Sequence, residues 1–306
     1  GKGRAVLIYS GNANACTGKK GMEDAEESAR LAGFYLNVPE TLVYVCSTGV
    51  IGVPLPMDRV YAGIKELTHR LGEASPEDAA RAIMTTDTFP KIVSKSIKIG
   101  SKTGTILGFC KGAGMIRPNM ATMLCFILTD IAVSRTALDK ALKEGVSLSF
   151  NRITVEGDMS TNDTVLALSN GAIGNRAITP EEFGLFKKTL FSVLYELSKM
   201  VVSDGEGSTK LIEIEVRGAK KEADAKKTAM SVANSFLVKT AIFGKDPNWG
   251  RIMAALGYSG TEIAEEKISI SIGGVKVASR GVSTGKETEA RKALSKKEIK
   301  VVIELG

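Results

Sequence analysis

The apolar run MLCFIL, residues 123–128, constrains the fold of this chain more than any other stretch. Its length and composition are those of a buried strand, and its near-continuous hydrophobicity predicts burial on both faces. It follows a polar segment at 111–119 that glycine and proline interrupt, and Met120, Ala121 and Thr122 join the two. A strand covered on both sides needs further elements on each side, so a layered architecture is expected.

The composition is that of a soluble globular protein, large enough for one sizeable domain or two. Of the 306 residues, 43% are hydrophobic and 25% are charged. No apolar run approaches the roughly 20 residues that span a bilayer, and no secretory signal pattern opens the chain. We therefore expect no membrane insertion.

The cysteines and the net charge argue against a zinc protein and against a nucleic-acid binder. No CxxC pair or His/Cys cluster occurs, so the cysteines are predicted to be reduced and mostly buried. The net charge of +7 comes from lysine-rich stretches with interleaved acidic residues, which is typical of solvated helix faces. Aromatic residues, at 6%, form no base-stacking pattern. The cysteines are Cys16, Cys46, Cys110 and Cys125.

Helical and strand patterns alternate along the chain without a regular βαβ series, which predicts an α/β (α+β) fold, a layered sandwich of sheets and helices. Ser75 followed by Pro76 predicts a capped helix start. The alternating stretch 91–99 and a second strand running to Lys111 predict a hairpin with its turn at Thr103–Gly104. Further strands are predicted at 6–9, 42–46, 210–218 and 236–244 and in the tail from 267, and helices at 23–36, 58–71, 134–145, 179–201, 222–235 and 247–260.

The chain begins and ends inside strand patterns. It opens with GKGRAVLIYSGNANACTG, without an initiator methionine, and stops at KKEIKVVIELG. We expect it to be a segment of a longer natural chain.

Thr122 enters the buried strand directly after the small residue Ala121. A threonine hydroxyl is a poor nucleophile unless a neighbouring base takes its proton. If the Ala121–Thr122 peptide bond is cleaved, the freed α-amine, with a reference pKa of about 7.7–8.0, can serve as that base. The same hydroxyl can cause the cleavage by attacking its own preceding carbonyl. The alternative, a structural threonine at the start of a strand, stays open on the residues alone.

The stretch CSTGVIG, residues 46–52, places hydroxyls and a glycine at the end of a strand. The Thr48 hydroxyl and the Gly49 amide can point at a developing oxyanion, which stabilises acyl-transfer intermediates. The alternative is a turn in which Ser and Thr satisfy local backbone groups. In SDGEG, residues 203–207, Glu206 is either part of a helix stop or a carboxylate that holds a substrate ammonium.

Seven motifs along the chain, taken as a set, can be compared with known families. They are SGNANACTG, STGVIG, MTTDTFPK, KGAGMIRPNMATML, NRITVEGDMSTNDT, SDGEG and FGKDPNWGRI. This set closely resembles the ornithine acetyltransferase family of arginine biosynthesis, whose members are also called glutamate N-acetyltransferases. The resemblance runs from Arg4 to Gly306. It implies a self-cleaving precursor, an N-terminal-nucleophile mechanism and a layered α/β fold shared with certain aminopeptidases.

The resemblance also implies roles for individual residues. Thr122 is the expected nucleophile, released by scission after Ala121, and Thr48 and Gly49 form the expected oxyanion hole. The implied substrate-binding set contains Thr122 itself, Thr85 (or its neighbour Thr86), Lys111 for a substrate carboxylate and Glu206 for an ammonium. No metal ligand is implied.

The implied reaction is a two-step transfer of acetyl from N2-acetylornithine to glutamate through an acetyl-threonine enzyme. No cofactor is expected, and the use of acetyl-CoA as a second donor stays open. Scission gives an alpha-chain segment, 1–121, and a beta-chain segment, 122–306, which are expected to share one core, with a smaller C-terminal subdomain as an option. The resemblance implies a heterotetramer of two alpha and two beta chains, small-molecule partners without nucleic acid or membrane, and a cytoplasmic location, or an organelle matrix if a transit segment is missing.

Two other functions stay open at this point. One is an aminopeptidase or amidohydrolase of related fold, in which water or another amine accepts the acyl group. The other is a non-catalytic member that keeps the fold without maturing.

Overall fold

The chain divides into two compact units, Gly1–Glu206 and Gly207–Gly306. The computed structural model describes residues 2–117 and 123–306. Each unit combines a sheet with helices, as the expected α/β class requires. In the described part of the chain, no helix has both the length and the apolar character needed to cross a membrane.

A four-stranded sheet forms the centre of the first unit. Its strands, in spatial order, are β3 (Lys91–Ile99), β4 (Lys102–Lys111), β5 (Leu124–Thr129) and β6 (Thr164–Ser169). The pairs β3–β4 and β4–β5 are antiparallel, whereas β5 and β6 are parallel. The strand predicted at 123–128 is confirmed as β5, and its side chains are buried except for Leu128, which is 40% exposed.

Both faces of this sheet are covered, which confirms the layered architecture. One face packs against α4 (Arg135–Leu148) and α5 (Pro180–Ser203). The opposite face contacts α3 (Pro76–Ala82) and a parallel strand pair, β1 (Ala5–Asn12) with β2 (Val43–Val50). A smaller apolar cluster joins this strand pair to α1 (Gly18–Leu36) and α2 (Met57–His69).

Capping residues fix where α3 and α5 begin. The Ser75 hydroxyl accepts a hydrogen bond from the Asp78 amide, and the Asp78 carboxylate accepts one from the Ser75 amide. Thr179 and Glu182 form the same reciprocal pair at the start of α5. Such caps contribute about 1 kcal/mol each, so the start predicted at Ser75–Pro76 is confirmed with its physical cause.

The second unit is a five-stranded sheet with its own apolar core. Parallel β7 and β11 lie at one side, and β8 is antiparallel to both of its neighbours. Helices α6 to α9 contribute buried apolar residues to this core. The strands in spatial order are β10 (Val282–Ser283), β9 (Val275–Ser279), β8 (Ser269–Ile272), β11 (Glu298–Glu304) and β7 (Leu211–Arg217), and the helices are α6 (Glu222–Asn234), α7 (Phe236–Phe243), α8 (Trp249–Gly257) and α9 (Glu287–Ala293).

The strand predicted at 236–244 is wrong, because this stretch forms helix α7. Ser235 caps the helix by accepting a hydrogen bond from the Val238 amide at 3.4 Å. The buried residues Val238, Ala241 and Ile242 follow helical spacing. Phe236 and Phe243 are exposed apolar residues, and they hide this spacing in the sequence by making the run apolar throughout.

The predicted hairpin of β3 and β4 is confirmed, but its turn lies at Gly100–Ser101 rather than at Thr103–Gly104. Ile99 faces Lys102 across the hairpin, and Gly100 has a φ of 61°, which suits a two-residue turn. Gly104 lies within β4, where an added Cβ would come within 2.3 Å of Ile131. This glycine therefore serves packing, not the turn.

Candidate active site

The predicted nucleophile and the predicted scission point lie outside the described residues. Thr122 and Ala121 belong to the stretch 118–122, and the described chain resumes at Met123, which follows Thr122 directly in the sequence. The other predicted site residues are described, so their surroundings can be compared with the roles expected of them.

Thr48 and Gly49 lie near the end of β2, beside the matching residues of β1. The Thr48 side chain is 2% exposed, and its Oγ1 accepts a hydrogen bond of 3.2 Å from Lys111 Nζ. Gly49 has a φ of 133°, and an added Cβ would lie 2.2 Å from the carbonyl carbon of Gly11. The close approach of the two strands therefore requires glycine at this position.

Lys111 is the last residue of β4, and only 3% of it is exposed. Burial lowers the pKa of its ammonium, and the positive charge of Lys91 adds to that effect. The carboxylates of Asp87, Glu206 and Asp163 oppose it. Lys111 is thus a buried cation that faces three carboxylates and donates to a hydroxyl.

Glu206 lies just beyond the end of α5 and is exposed. Its amide donates a hydrogen bond of 2.9 Å to the Ala113 carbonyl, two residues after the end of β4. Its carboxylate packs on Gly114, where an added Cβ would come within 2.6 Å of Oε1. The loop after α5 is therefore tied to the loop after Lys111, which brings an accessible carboxylate to the neighbourhood of the buried lysine.

Asp87 connects the turn that carries Thr85 to the same end of β4. Its carboxylate accepts hydrogen bonds from the Thr85 amide at 3.1 Å and from the Gly112 amide at 2.7 Å. Burial opposes ionisation of Asp87, but these bonds and the Lys91 ammonium outweigh burial and keep its pKa below the usual value. Thr85 and Thr86 are both exposed, and the Thr85 backbone is connected to the end of β4 through Asp87.

The buried ion cluster around Lys91 is absent from the sequence-based prediction. Lys91 is 0% exposed and donates to Asp87 at 2.7 Å and to Asp204 at 2.6 Å. Asp204 also accepts hydrogen bonds from the Thr88 amide and hydroxyl. The sequence does carry a signal for this cluster. Lys91 occupies one of the alternating positions of strand β3 whose side chains are buried.

Asp163 is the second site feature that sequence reasoning missed. It lies directly before β6, and its Oδ1 accepts a hydrogen bond of 2.9 Å from the Met123 amide. Burial raises the pKa of this carboxyl to about 6, although the Met123 amide and the Lys111 charge act in the opposite direction. The sequence places Asp163 within the motif NRITVEGDMSTNDT, but no spacing rule marks it as functional.

Four of the predicted regions thus meet at one end of the central sheet: the Thr48–Gly49 strand end, the Thr85 turn, Lys111 and Glu206. Among the residues 2–117 and 123–306, no group of three His, Cys, Asp or Glu side chains could hold a metal ion. A buried cation, a hydroxyl beside it and carboxylates around both can bind and orient a substrate that carries both signs of charge.

A layered α/β fold with these groups gathered at the strand ends is the architecture of an enzyme, and the comparisons identify its family. Residues 1–306 match the ArgJ family. The chain is 51% identical over 306 residues to the arginine biosynthesis bifunctional protein ArgJ of Geobacter sulfurreducens, covering 99% of this chain and 78% of that protein. The ArgJ protein of Caldanaerobacter subterraneus is 49% identical over 312 residues, covering 100% of this chain and 77% of that protein.

A solved structure agrees with the sequence comparison. The crystal structure of arginine biosynthesis bifunctional protein ArgJ from Bacillus halodurans aligns with a TM-score of 0.57 at 42% identity. The alignment covers 59% of this chain and 86% of that one. The chain therefore belongs to the ArgJ family, which confirms the resemblance found in its motifs. The roles of the individual site residues stay predictions.

Proposed function

We propose that this chain is a self-processing acetyltransferase of arginine biosynthesis, which moves acetyl from N2-acetylornithine to glutamate. The observation that carries the proposal is the meeting of Thr48, Lys111 and Glu206 at the sheet end where β5 begins, two residues after Thr122 in the sequence. Membership of the ArgJ family supports the same reaction.

The reaction proceeds in two balanced steps. The Thr122 hydroxyl attacks the acetyl carbonyl while the α-amine freed by scission takes the hydroxyl proton. The resulting ammonium gives that proton to the departing nitrogen as the carbon–nitrogen bond breaks, so ornithine leaves as the free amine. The amine of glutamate then attacks the acetyl ester, which gives N-acetylglutamate and returns the threonine hydroxyl. An acyl ester on a residue needs no cofactor, and acetyl-CoA is a candidate second donor.

Thr48 is suited to stabilise the oxyanion of both steps. Its oxygen accepts from Lys111, so its own hydroxyl proton is available to a second acceptor. A positioned donor of this kind contributes about 3–4 kcal/mol to acyl transfer in other enzymes. The Gly49 amide, next in the chain, is the proposed second donor.

The charges around the site fit an amino acid substrate. Lys111 has three N–H donors, and within the described part of the chain Thr48 accepts from one of them. The remaining donors are available to the substrate carboxylate, whereas exposed Glu206 is placed to bind the substrate ammonium.

We further propose that Thr85 or Thr86 contacts the substrate. We also propose that two alpha and two beta chains assemble, and that the protein works in the cytoplasm.

The test combines intact mass under denaturing conditions with an acetyl-transfer assay. We expect fragments 1–121 and 122–306 from the unmodified chain, an uncut chain from Thr122→Ala, and glutamate-dependent consumption of N-acetylornithine only where scission occurs. Thr103→Ala is the matched control, since Thr103 is an exposed threonine of β4.

Two results would contradict the proposal. An uncut, inactive chain would indicate a non-catalytic member. Release of N-terminal residues from peptides, without acetyl transfer to glutamate, would indicate a peptidase of related fold.

A further inference from the structure

The end of β2, where Thr48 and Gly49 lie, is not held in place by regular strand pairing alone. Asn12 of β1 faces both Thr48 and Val50, so the register of the parallel pair shifts opposite Gly49. An irregularity of this kind disrupts the ladder of hydrogen bonds between two strands. The position of the two proposed oxyanion donors therefore depends also on contacts from outside β1 and β2.

Asn162, two residues before β6, provides such a contact through its side-chain amide. Its Nδ2 donates to the Ala13 carbonyl at 2.7 Å and to Ser47 Oγ at 3.0 Å. The Ser47 hydroxyl donates to the same carbonyl at 2.7 Å, so the three groups form a closed triangle. Since a carbonyl can only accept, the nitrogen of the amide has to face Ala13. Ser47 directly precedes Thr48 in β2, so the triangle holds the strand next to the proposed donors.

The segment that contains Asn162 is also bonded to the start of β5. The Asp163 carboxylate accepts a hydrogen bond of 2.9 Å from the Met123 amide, and the Thr164 amide donates to the Met123 carbonyl at 3.0 Å. The side-chain oxygen of Asn162 accepts from the Thr161 hydroxyl, which fixes the amide within the segment. Consecutive residues of one short segment therefore bind β1 and β2 on one side and β5 on the other.

The contacts of Asn162 connect parts of the chain that are far apart in the sequence. Asn162 lies 149 positions from Ala13 and 115 positions from Ser47. The predicted scission would place Asn162 on the fragment 122–306 and its two partners on the fragment 1–121. Non-covalent contacts such as these then set the spacing between the proposed oxyanion donors and β5.

We propose that Asn162 is a positioning residue of the acyl-transfer site. By holding Ser47 and Ala13, it keeps the end of β2 at a fixed distance from β5. Thr48 and Gly49 then present their donors where the oxyanion forms, without reorganisation during the reaction. This inference rests on the proposed function, because the two donors have their role only in that reaction.

Removal of the Asn162 amide should lower kcat more than it changes KM. An oxyanion donor acts on the transition state, so its displacement slows the reaction without weakening substrate binding to the same extent. Because a displacement of about 1 Å can cost about a hundredfold in rate, we expect kcat of Asn162→Ala to fall by about tenfold to a hundredfold. The proposed substrate-binding groups Lys111 and Glu206 follow other elements, β4 and α5, so KM for N-acetylornithine should change by less than about threefold.

The experiment is a double-mutant cycle of kcat for glutamate-dependent acetyl transfer, with Asn162→Ala, Thr48→Ala and the variant that combines them. Urea unfolding of each variant shows that it is folded. If Asn162 acts through the oxyanion donors, its removal costs about tenfold or more in the unmodified protein but less than about threefold in the Thr48→Ala background. The matched control is Asn170→Ala, which should leave kcat unchanged. Asn170 is an exposed asparagine directly after β6, at the other end of that strand.

An equal fall of kcat in both backgrounds would overturn the proposal, because Asn162 would then act on something other than the oxyanion donors. A rise in KM without a fall in kcat would overturn it as well. If Asn162→Ala does not fold or is not cut, Ser47→Ala takes its place in the cycle, since that change removes one acceptor of the Asn162 amide and leaves the bond to Ala13. The same dependence on Thr48 then supports the proposal, and independent effects contradict it. An unmodified protein that transfers no acetyl would instead overturn the proposed function and this inference with it.

Discussion

At the scale of single residues, Gly49 shows how backbone geometry and predicted chemistry meet at one position. Its φ of 133° lies in a region that side chains rarely adopt. An added Cβ would lie 2.2 Å from the carbonyl carbon of Gly11 and 2.5 Å from the nitrogen of Asn12. Both atoms belong to the backbone of β1, so neither can turn away as a side chain would.

We predict that Gly49→Ala lowers the free energy of unfolding by about 2–4 kcal/mol, because it adds a steric clash between β1 and β2 to an unfavourable φ. Gly52→Ala is the matched control. Gly52 has a φ of 80°, but an added Cβ there meets nothing within 4 Å, so only the conformational cost of about 1 kcal/mol remains. Urea unfolding of both variants measures the difference. Equal losses in the free energy of unfolding for the two variants would contradict the prediction, because they would show that the clash between β1 and β2 is relieved at no cost.

The residue scale also shows which site residues the sequence could predict. Thr48, Lys111 and Glu206 were predicted from motifs, and the structure gathers them at one sheet end. Asp163 was missed because its partner, the Met123 amide, lies 40 positions away in the chain. Lys91 has one carboxylate partner four positions away, Asp87, but the other, Asp204, lies 113 positions away, and no local rule predicts that pairing.

At the scale of elements, the cluster around Lys91 joins three segments that carry predicted substrate-binding residues. Asp87 bonds the Thr85 turn to the end of β4, and Asp204 lies two residues before Glu206. Lys91, the first residue of β3, donates to both carboxylates. Removing it would leave two buried carboxylates without the ammonium that binds both, which is strongly unfavourable.

We predict that Lys91→Met lowers the free energy of unfolding by about 3–5 kcal/mol and raises KM for N-acetylornithine, since the three segments lose their common cation. Lys95→Met is the control on the same strand. Lys95 pairs with Glu196 of α5, but these side chains are 33% and 44% exposed, so the loss should be about 0–1 kcal/mol. Chemical unfolding and initial-rate kinetics of both variants provide the measurement, and similar losses would refute the role of the buried cluster.

The elements that sequence predicted well are those with strong local determinants. The caps at Ser75 and the continuous apolar run of β5 each specify their structure within a few residues. The prediction for the stretch that forms helix α7 was wrong, because eight mostly apolar residues fit a buried strand as well as a short helix. The hairpin turn was predicted at Thr103–Gly104 and lies at Gly100–Ser101. The prediction was wrong because Gly104, a glycine that packs on Ile131, resembles a turn residue in the sequence.

At the scale of the whole molecule, the predicted scission would cut the chain between two neighbouring strands of one sheet. The peptide bond after residue 121 lies between β4 and β5, which pair antiparallel from Ile106–Thr129 to Lys111–Leu124. The same apolar cluster contains Ile106 and Cys110 from before the cut and Cys125 and Ile127 from after it. The core of the first unit, Gly1–Glu206, therefore contains residues from both predicted fragments.

We predict that fragments 1–121 and 122–306 remain together after scission, because separating them would expose the central strands and the apolar cluster on both faces of the sheet. Native mass spectrometry should show both fragments in one complex, whereas denaturing conditions should show them apart. Size-exclusion chromatography in increasing urea should find them separating only at the concentration where the amides of the first unit lose their protection from hydrogen exchange, since dissociation and unfolding of that unit are then one event. Separation at a clearly lower concentration would mean that each fragment keeps a folded core of its own, and that the β4–β5 pairing contributes little to the stability of the matured enzyme.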